Sequence, residues 1–162
     1  MKVDVKILAV VGVVLAAAFW FYIKPNYLEA QTPPVYTEEE LAAAPRPTLV
    51  LEERVLNLRS DPTAPHYVKV AIALEFEDPE LKWMGLSGEA LAKKNEEFSL
   101  ELEPELHRIW DVITSVIGEK SIEEVSTEEG REALKEELKA ELNAVLHDHK
   151  VEHVYFATFL TQ

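Results

Sequence analysis

The residues best suited to chemistry in this chain of 162 are His147, Asp148, His149 and His153. On an extended backbone alternate side chains share a face, so His147, His149 and His153 could converge on a zinc or copper ion. Yet the stretch joins a helical pattern to a strand pattern, where polar residues are expected in any case. No further histidine or carboxylate is held to it by a recognisable spacing, so no metal ligand is assigned. Carboxylate pairs recur at Glu123-Glu124, Glu128-Glu129 and Glu136-Glu137, but they fall at helix starts or on polar helix faces. General acid–base work needs a buried or closely paired group with a shifted pKa. The five glycines, at positions 12, 85, 88, 118 and 130, form no phosphate-cradling loop, and nothing resembles a nucleophile elbow. Cysteine is absent, which excludes disulfides, thiol chemistry and thiolate metal sites. The sequence is therefore read as carrying no catalytic, cofactor-binding or metal residues and no enzyme activity.

The strongest physical signal lies far from those histidines. Ile7 to Ile23 is a run of seventeen uncharged residues between Lys6 and Lys24. As a helix it would cover about 25 Å, enough to cross a bilayer once its flanks are added. The competing reading is a cleaved signal peptide, whose apolar region is usually about seven to fifteen residues. Against it stand the length, the interfacial belt Phe19-Trp20-Phe21-Tyr22, and the lack of a nearby small-x-small cleavage triplet. Residues 7–23 are thus expected to be a transmembrane helix. Lys2 and Lys6 precede it and only Lys24 follows closely, which keeps residues 1–6 in the cytoplasm and sends the rest to the periplasm of a bacterial cell. Gly12 and Ala16 form a small-xxx-small pair that would let another membrane helix approach.

The formal charge is −14; residues 1–27 hold three lysines and one aspartate, so residues 28–162 carry −16. Such a surface repels nucleic acid and anionic headgroups and favours basic partners. Pro25 to Pro47 contains five of the nine prolines. Because proline fixes φ and removes an amide donor, residues 24–47 read as a stalk. Thr37-Glu38-Glu39-Glu40 has capping-box spacing, so the stalk is either interrupted by one short helix or extended throughout.

A folded domain is expected over residues 48–162. TLVLEERVLNL from Thr48 reads as two short strands or one bulged strand near an edge, and RSDPTAP from Arg59 as a turn. In YVKVAIALEFE from Tyr67, Val68, Val70, Ile72, Leu74 and Phe76 alternate with polar or small residues, which predicts an antiparallel strand with one buried face. A short helix is expected from Gly88 to Asn95, with Trp83 as a core plug. The spacing of Leu102, Leu106, Ile109, Ile113, Val116 and Ile117 predicts a second helix ended by Gly118. Ser121 opens one helical turn, and Ser126 heads a capping box for a long helix whose stripe is Leu134, Leu138, Leu142, Val145 and Leu146. The nearly continuous apolar run from Val154 to Leu160 predicts a central strand, buried on both faces. The fold class is α+β: an antiparallel-containing sheet packed by two or three helices, behind a transmembrane helix and a stalk.

Several stretches together resemble the flagellar basal-body-associated FliL family. They are LEERVLNL at 51–58, YVKVAIALEFED at 67–78, residues 101–146 with their Ser121 turn and Ser126-Thr127-x-x-Gly130 helix start, and the ending VEHVYFATFLTQ at 151–162. The resemblance implies a single-pass inner-membrane protein of the flagellar basal body with a stomatin-like periplasmic domain. It also implies homo-oligomeric rings around the ion-driven stator units and support of motility and chemotaxis, without cofactors. Partners are then the chain itself, stator membrane proteins and the bilayer through residues 7–23, with no nucleic acid and no small-molecule substrate. At a self-interface, Lys93, Lys94, Arg131 and Lys135 could face acidic residues of a neighbour. The alternative from a different class is a membrane-tethered periplasmic sensor or ligand-binding module, which requires an apolar pocket with a few convergent polar groups.

Overall fold

The central element is a ten-residue strand around which the others are registered. In the computed structural model, which describes residues 35–162, residues 42–162 form one compact unit. The expected membrane helix 7–23, its aromatic belt, Gly12 and Ala16 lie outside the described residues. Among the described residues no helix is long and apolar enough to cross a membrane.

Helix α1 (Glu38–Ala43) begins at a reciprocal cap: the Thr37 hydroxyl accepts from the Glu40 amide at 3.2 Å, and Glu40 Oε2 accepts from the Thr37 amide at 2.8 Å. Two of the amides left without an intrahelical partner are satisfied this way.

Strand β1 (Thr48–Val50) and strand β2 (Arg54–Asn57) both pair antiparallel with β3 (Tyr67–Phe76) on the same side. Leu49 lies opposite Leu74, and Val55 opposite Lys69. The Leu51 amide donates to the Ile72 carbonyl, which keeps the broken strand in step across the Leu51–Glu53 gap. Strand β4 (Val151–Thr161) runs antiparallel along the other side of β3. The β2–β3 turn is set by Asp61, whose side chain accepts from the Thr63 amide at 2.8 Å and whose carbonyl accepts from Ala64.

Helix α2 (Gly88–Glu101) is followed by a 3₁₀ turn (Glu103–Glu105), α3 (Leu106–Gly118), the short α4 (Ile122–Ser126) and α5 (Glu128–Val145). The period-two pattern of β3 sends Val68, Val70, Ile72, Leu74 and Phe76 into one core with Ile109, Ile113 and Ile117 of α3 and Leu134, Leu138 and Leu142 of α5. At about 1.5–3 kcal/mol for each large aliphatic side chain removed from water, this seam dominates the stability of the unit. The helices thus cover one face of the sheet and leave the other bare.

Three sequence expectations are corrected. The apolar stripe from Leu102 to Ile117 is not one helix: Leu102 caps α2, and Pro104 at the head of the 3₁₀ turn has no amide to continue the ladder, so α3 starts at Leu106. The cap of α5 is Thr127, not Ser126. Thr127 Oγ1 accepts from the Gly130 amide at 3.0 Å, while the Ser126 hydroxyl turns back to the Ile122 carbonyl. Gly130 is required there by contact rather than by φ, since a Cβ would lie 1.7 Å from the Glu124 carbonyl oxygen. Finally, β4 is an edge strand. Among the described elements it pairs only with β3, and Tyr155 and Leu160 stand exposed on it. Its continuous apolar character comes from two unlike surroundings, a core on one side and an open sheet face on the other.

Candidate interaction surface

The open face of the sheet carries the side chains that the core leaves out. β3 contributes Tyr67, Lys69, Ala71, Ala73 and Glu75; the register sets Val50 and Tyr155 beside Ala73, and Val55 and Leu160 beside Lys69. Five of the nine exposed large apolar residues of the described chain lie here, with Val50, Val55, Leu160, Tyr155 and Tyr67 between 40% and 71% exposed. Such clustering, rather than scattered apolar residues, marks a surface meant to be covered.

Most of its charges are matched. Lys69 Nζ lies 2.6 Å from Glu53, Arg46 pairs with Glu152, and the Tyr155 hydroxyl donates to Glu75 at 3.2 Å. Burial and the adjacent Glu75 carboxylate push the Tyr155 hydroxyl above its usual range, which keeps it a donor. In a chain of net charge −14 this face has two carboxylates held in ion pairs, Glu53 and Glu152, and a third, Glu75, hydrogen-bonded to a neutral hydroxyl.

The β4 edge bounds that face. Its first residue is closed by a side chain: Asn143 donates to the Val151 carbonyl at 2.9 Å and accepts from the Val151 amide at 2.7 Å, so one carboxamide occupies the place of a neighbouring strand. Beyond Val151 no described group takes this role.

The histidines do not form a site. His149 packs edge-on against Phe98 and Phe76, with ring centroids 5.4 Å and 6.3 Å away, and its Nε2 lies 3.6 Å from Glu101. His147 is exposed at the end of α5, and His153 projects on the open face opposite Glu75. Bulges in β4 and the turn before it break the alternation that would have aligned the three. Among the described residues no group of three or more metal-ligating side chains converges.

Three of the four expected basic residues have local duties. Lys135 pairs with Glu132 at 2.6 Å and lies over the Phe156 ring, Lys94 lies over Trp83, Arg131 donates to the Ser126 carbonyl at 3.1 Å, and Lys93 is exposed. Trp83 is buried as expected, its indole donating to Asn95 at 2.8 Å. Beside it runs a groove of about 300 Å³, where Lys82 pairs with Glu80 and Lys150 with Glu77. Paired charges on an open wall do not make the apolar pocket that a ligand-binding module needs.

The paired carboxylates have structural work as well. Glu124 accepts from the Ser121 amide at 2.6 Å and reaches Arg59 at 2.8 Å, and the bonds to Ser121 hold its carboxyl below the usual carboxylate range. It closes the reciprocal cap of α4.

Sequence periodicity found the outer face of β3 but not the apolar surface around it. Val50, Val55 and Leu160 resemble core residues until strand register turns them outward.

The family model of the flagellar basal body-associated protein FliL matches residues 48–162. The chain belongs to the FliL family. Flagellar protein FliL of Aquifex aeolicus (strain VF5) is 30% identical over 108 residues, which are 67% of this chain and 56% of that relative. The chain thus aligns with little more than half of the length of its FliL relative. The description of that family is flagellar basal body-associated protein. The FliL match begins at the first residue of β1 and ends at the last residue of the chain, so it takes in the sheet, its open face and the β4 edge.

Proposed function

We propose that this FliL-family protein is a non-catalytic accessory of the flagellar motor that associates with the ion-driven stator units as a homo-oligomer arranged in a ring. Residues 1–6 lie in the cytoplasm, 7–23 cross the inner membrane, 24–47 form a periplasmic stalk, and 48–162 are the periplasmic domain. The observation that carries the reading is the FliL match over residues 48–162, the whole of the sheet-and-helix unit. The physical chemistry supports it: the chain presents an exposed apolar sheet face, which suits a protein that works by contact. The apolar run 7–23 supports a tether, with Gly12 and Ala16 approaching a neighbouring membrane helix and Phe19, Trp20, Phe21 and Tyr22 at the interface.

The test is a chromosomal deletion with swimming and swarming measured under viscous load, together with counts of fluorescent stator units at the motor. Reduced motility and fewer engaged stators are expected, and complementation by the full chain but not by residues 24–162. Unchanged motility under load would remove the motor assignment.

A further inference from the structure

We infer that the chain pairs with a second copy of itself along β4, antiparallel, about a twofold axis between Ala157 and Thr158. The inference rests on the reading that the protein self-associates and names the surface and register of one two-copy contact within that assembly, which a ring extends through a second interface.

The argument starts from which backbone groups of β4 face away from β3. Tyr67 and Gln162 exchange both their amide–carbonyl bonds, at 2.9 Å each, so they form a hydrogen-bonded pair. Alternation then makes Lys69 with Leu160, and Ala71 with Thr158, the next such pairs, and past the register shift Ala73 with Tyr155 and Glu75 with His153. The amides and carbonyls left pointing outward are those of Val154, Phe156, Phe159 and Thr161. Asn143 already takes those of Val151.

The bulge at Ala157 sets the spacing of these outward groups at two, three and two residues. A regular strand offers steps of two throughout and loses step at the bulge. A second β4 running antiparallel offers the same sequence of steps, and a three-residue step then meets a three-residue step. In that register Val154 pairs with Thr161 of the second copy and Phe156 with Phe159, each twice about the axis.

The side chains agree with the backbone. The same register brings Tyr155 opposite Leu160 of the second copy, so the two exposed apolar side chains that β4 adds to the open face cover each other. No charged residue occurs between Val154 and Thr161, so the edge can be buried without desolvating any of the chain's excess carboxylates. Asn143 limits the pairing to this segment and fixes where it starts.

The chain has no cysteine, which makes an engineered pair unambiguous. Tyr155 and Leu160 would form a non-hydrogen-bonded pair with Cα atoms about 4.5 Å apart, within the range a disulfide spans. Two copies of Tyr155, or of Leu160, would be offset by five residues, about 17 Å. Full-length Tyr155→Cys and Leu160→Cys proteins, carrying different tags, are co-expressed in membranes and mildly oxidised. A disulfide-linked species of twice the monomer mass, containing both tags, is expected in the mixture, with neither variant cross-linking alone. Equal cross-linking of either single variant would overturn the register. No cross-link from a protein that sediments as an oligomer in detergent would overturn the β4 pairing and leave self-association standing. A monomer by sedimentation would overturn both.

Discussion

The two edges of the sheet are built on opposite principles. The edge made by β1 and β2 is cut into pieces of three and four residues, with Glu52 and Glu53 in the gap between them. Short length and charge are the means by which proteins stop an edge from recruiting another strand. The β4 edge has eleven residues, no charge from Val154 to Thr161, and a single guard, Asn143, at its first position. Both edges lie beside the same central strand and the same open face, so the difference cannot come from burial or topology. An edge left long and uncharged while its counterpart is guarded identifies which side of the domain is made to meet another strand.

The comparison breaks most severely if β4 is removed. Deleting residues 151–162 takes Val151 and Val154 from the core and leaves Val68, Val70 and Ile72 without their neighbouring strand. Loss of a cooperative unfolding transition in circular dichroism is expected. At the guarded edge, Leu49→Ala removes a buried side chain and should cost about 2–5 kcal/mol in urea denaturation. The oligomer's sedimentation should stay unchanged when measured well below the transition; altered assembly would show that this edge also takes part. Asn143→Ala leaves the Val151 amide and carbonyl without their partner, for about 1–3 kcal/mol. It also extends the bare edge, so faster aggregation in light scattering is expected, whereas Leu49→Ala at equal destabilisation should aggregate more slowly.

Leu160→Lys supplies the guard that β4 lacks. At an exposed position its effect on folding should stay within about 0.5 kcal/mol, while sedimentation shifts toward the monomer. The smallest effect belongs to acid. Glu124 has its carboxyl lowered by the Ser121 bonds, so the stability it adds is present above the ordinary carboxylate range and is lost as pH falls through its lower folded value. Glu124→Gln should lower the melting temperature slightly at neutral pH, where that contribution and the Arg59 contact are present, and change it least in acid, so the acid limb of the profile flattens.

Much of this architecture is legible in residue spacing. The alternation from Val68 to Phe76 places the central strand and its buried face, Gly118 the end of α3, Ser121 the start of α4 and the leucine stripe the buried side of α5. These signals are local: a pleat, a cap and a helical repeat each act within a few residues. The misreadings occur where the deciding contact is distant or two local signals compete. Ser126 and Thr127 both suit a cap, and the close approach of Gly130 to the Glu124 carbonyl selects the second. His147, His149 and His153 share a motif-like spacing, but the packing of His149 against Phe76 and Phe98 draws it away from the other two.

The sequence by itself determined that residues 48–162 form an α+β domain of FliL type, strongly acidic and without cysteine, with β3 as its most regularly alternating strand. Those properties depend on composition and short-range periodicity. Only the tertiary structure decided that β4 is an edge, that Val50, Val55, Tyr155 and Leu160 share a bare face, and that Asn143 closes the edge at one residue alone. An apolar run looks the same whether a core or a partner covers it. Which one does so depends on how many strands lie beside it, a count that no local pattern records.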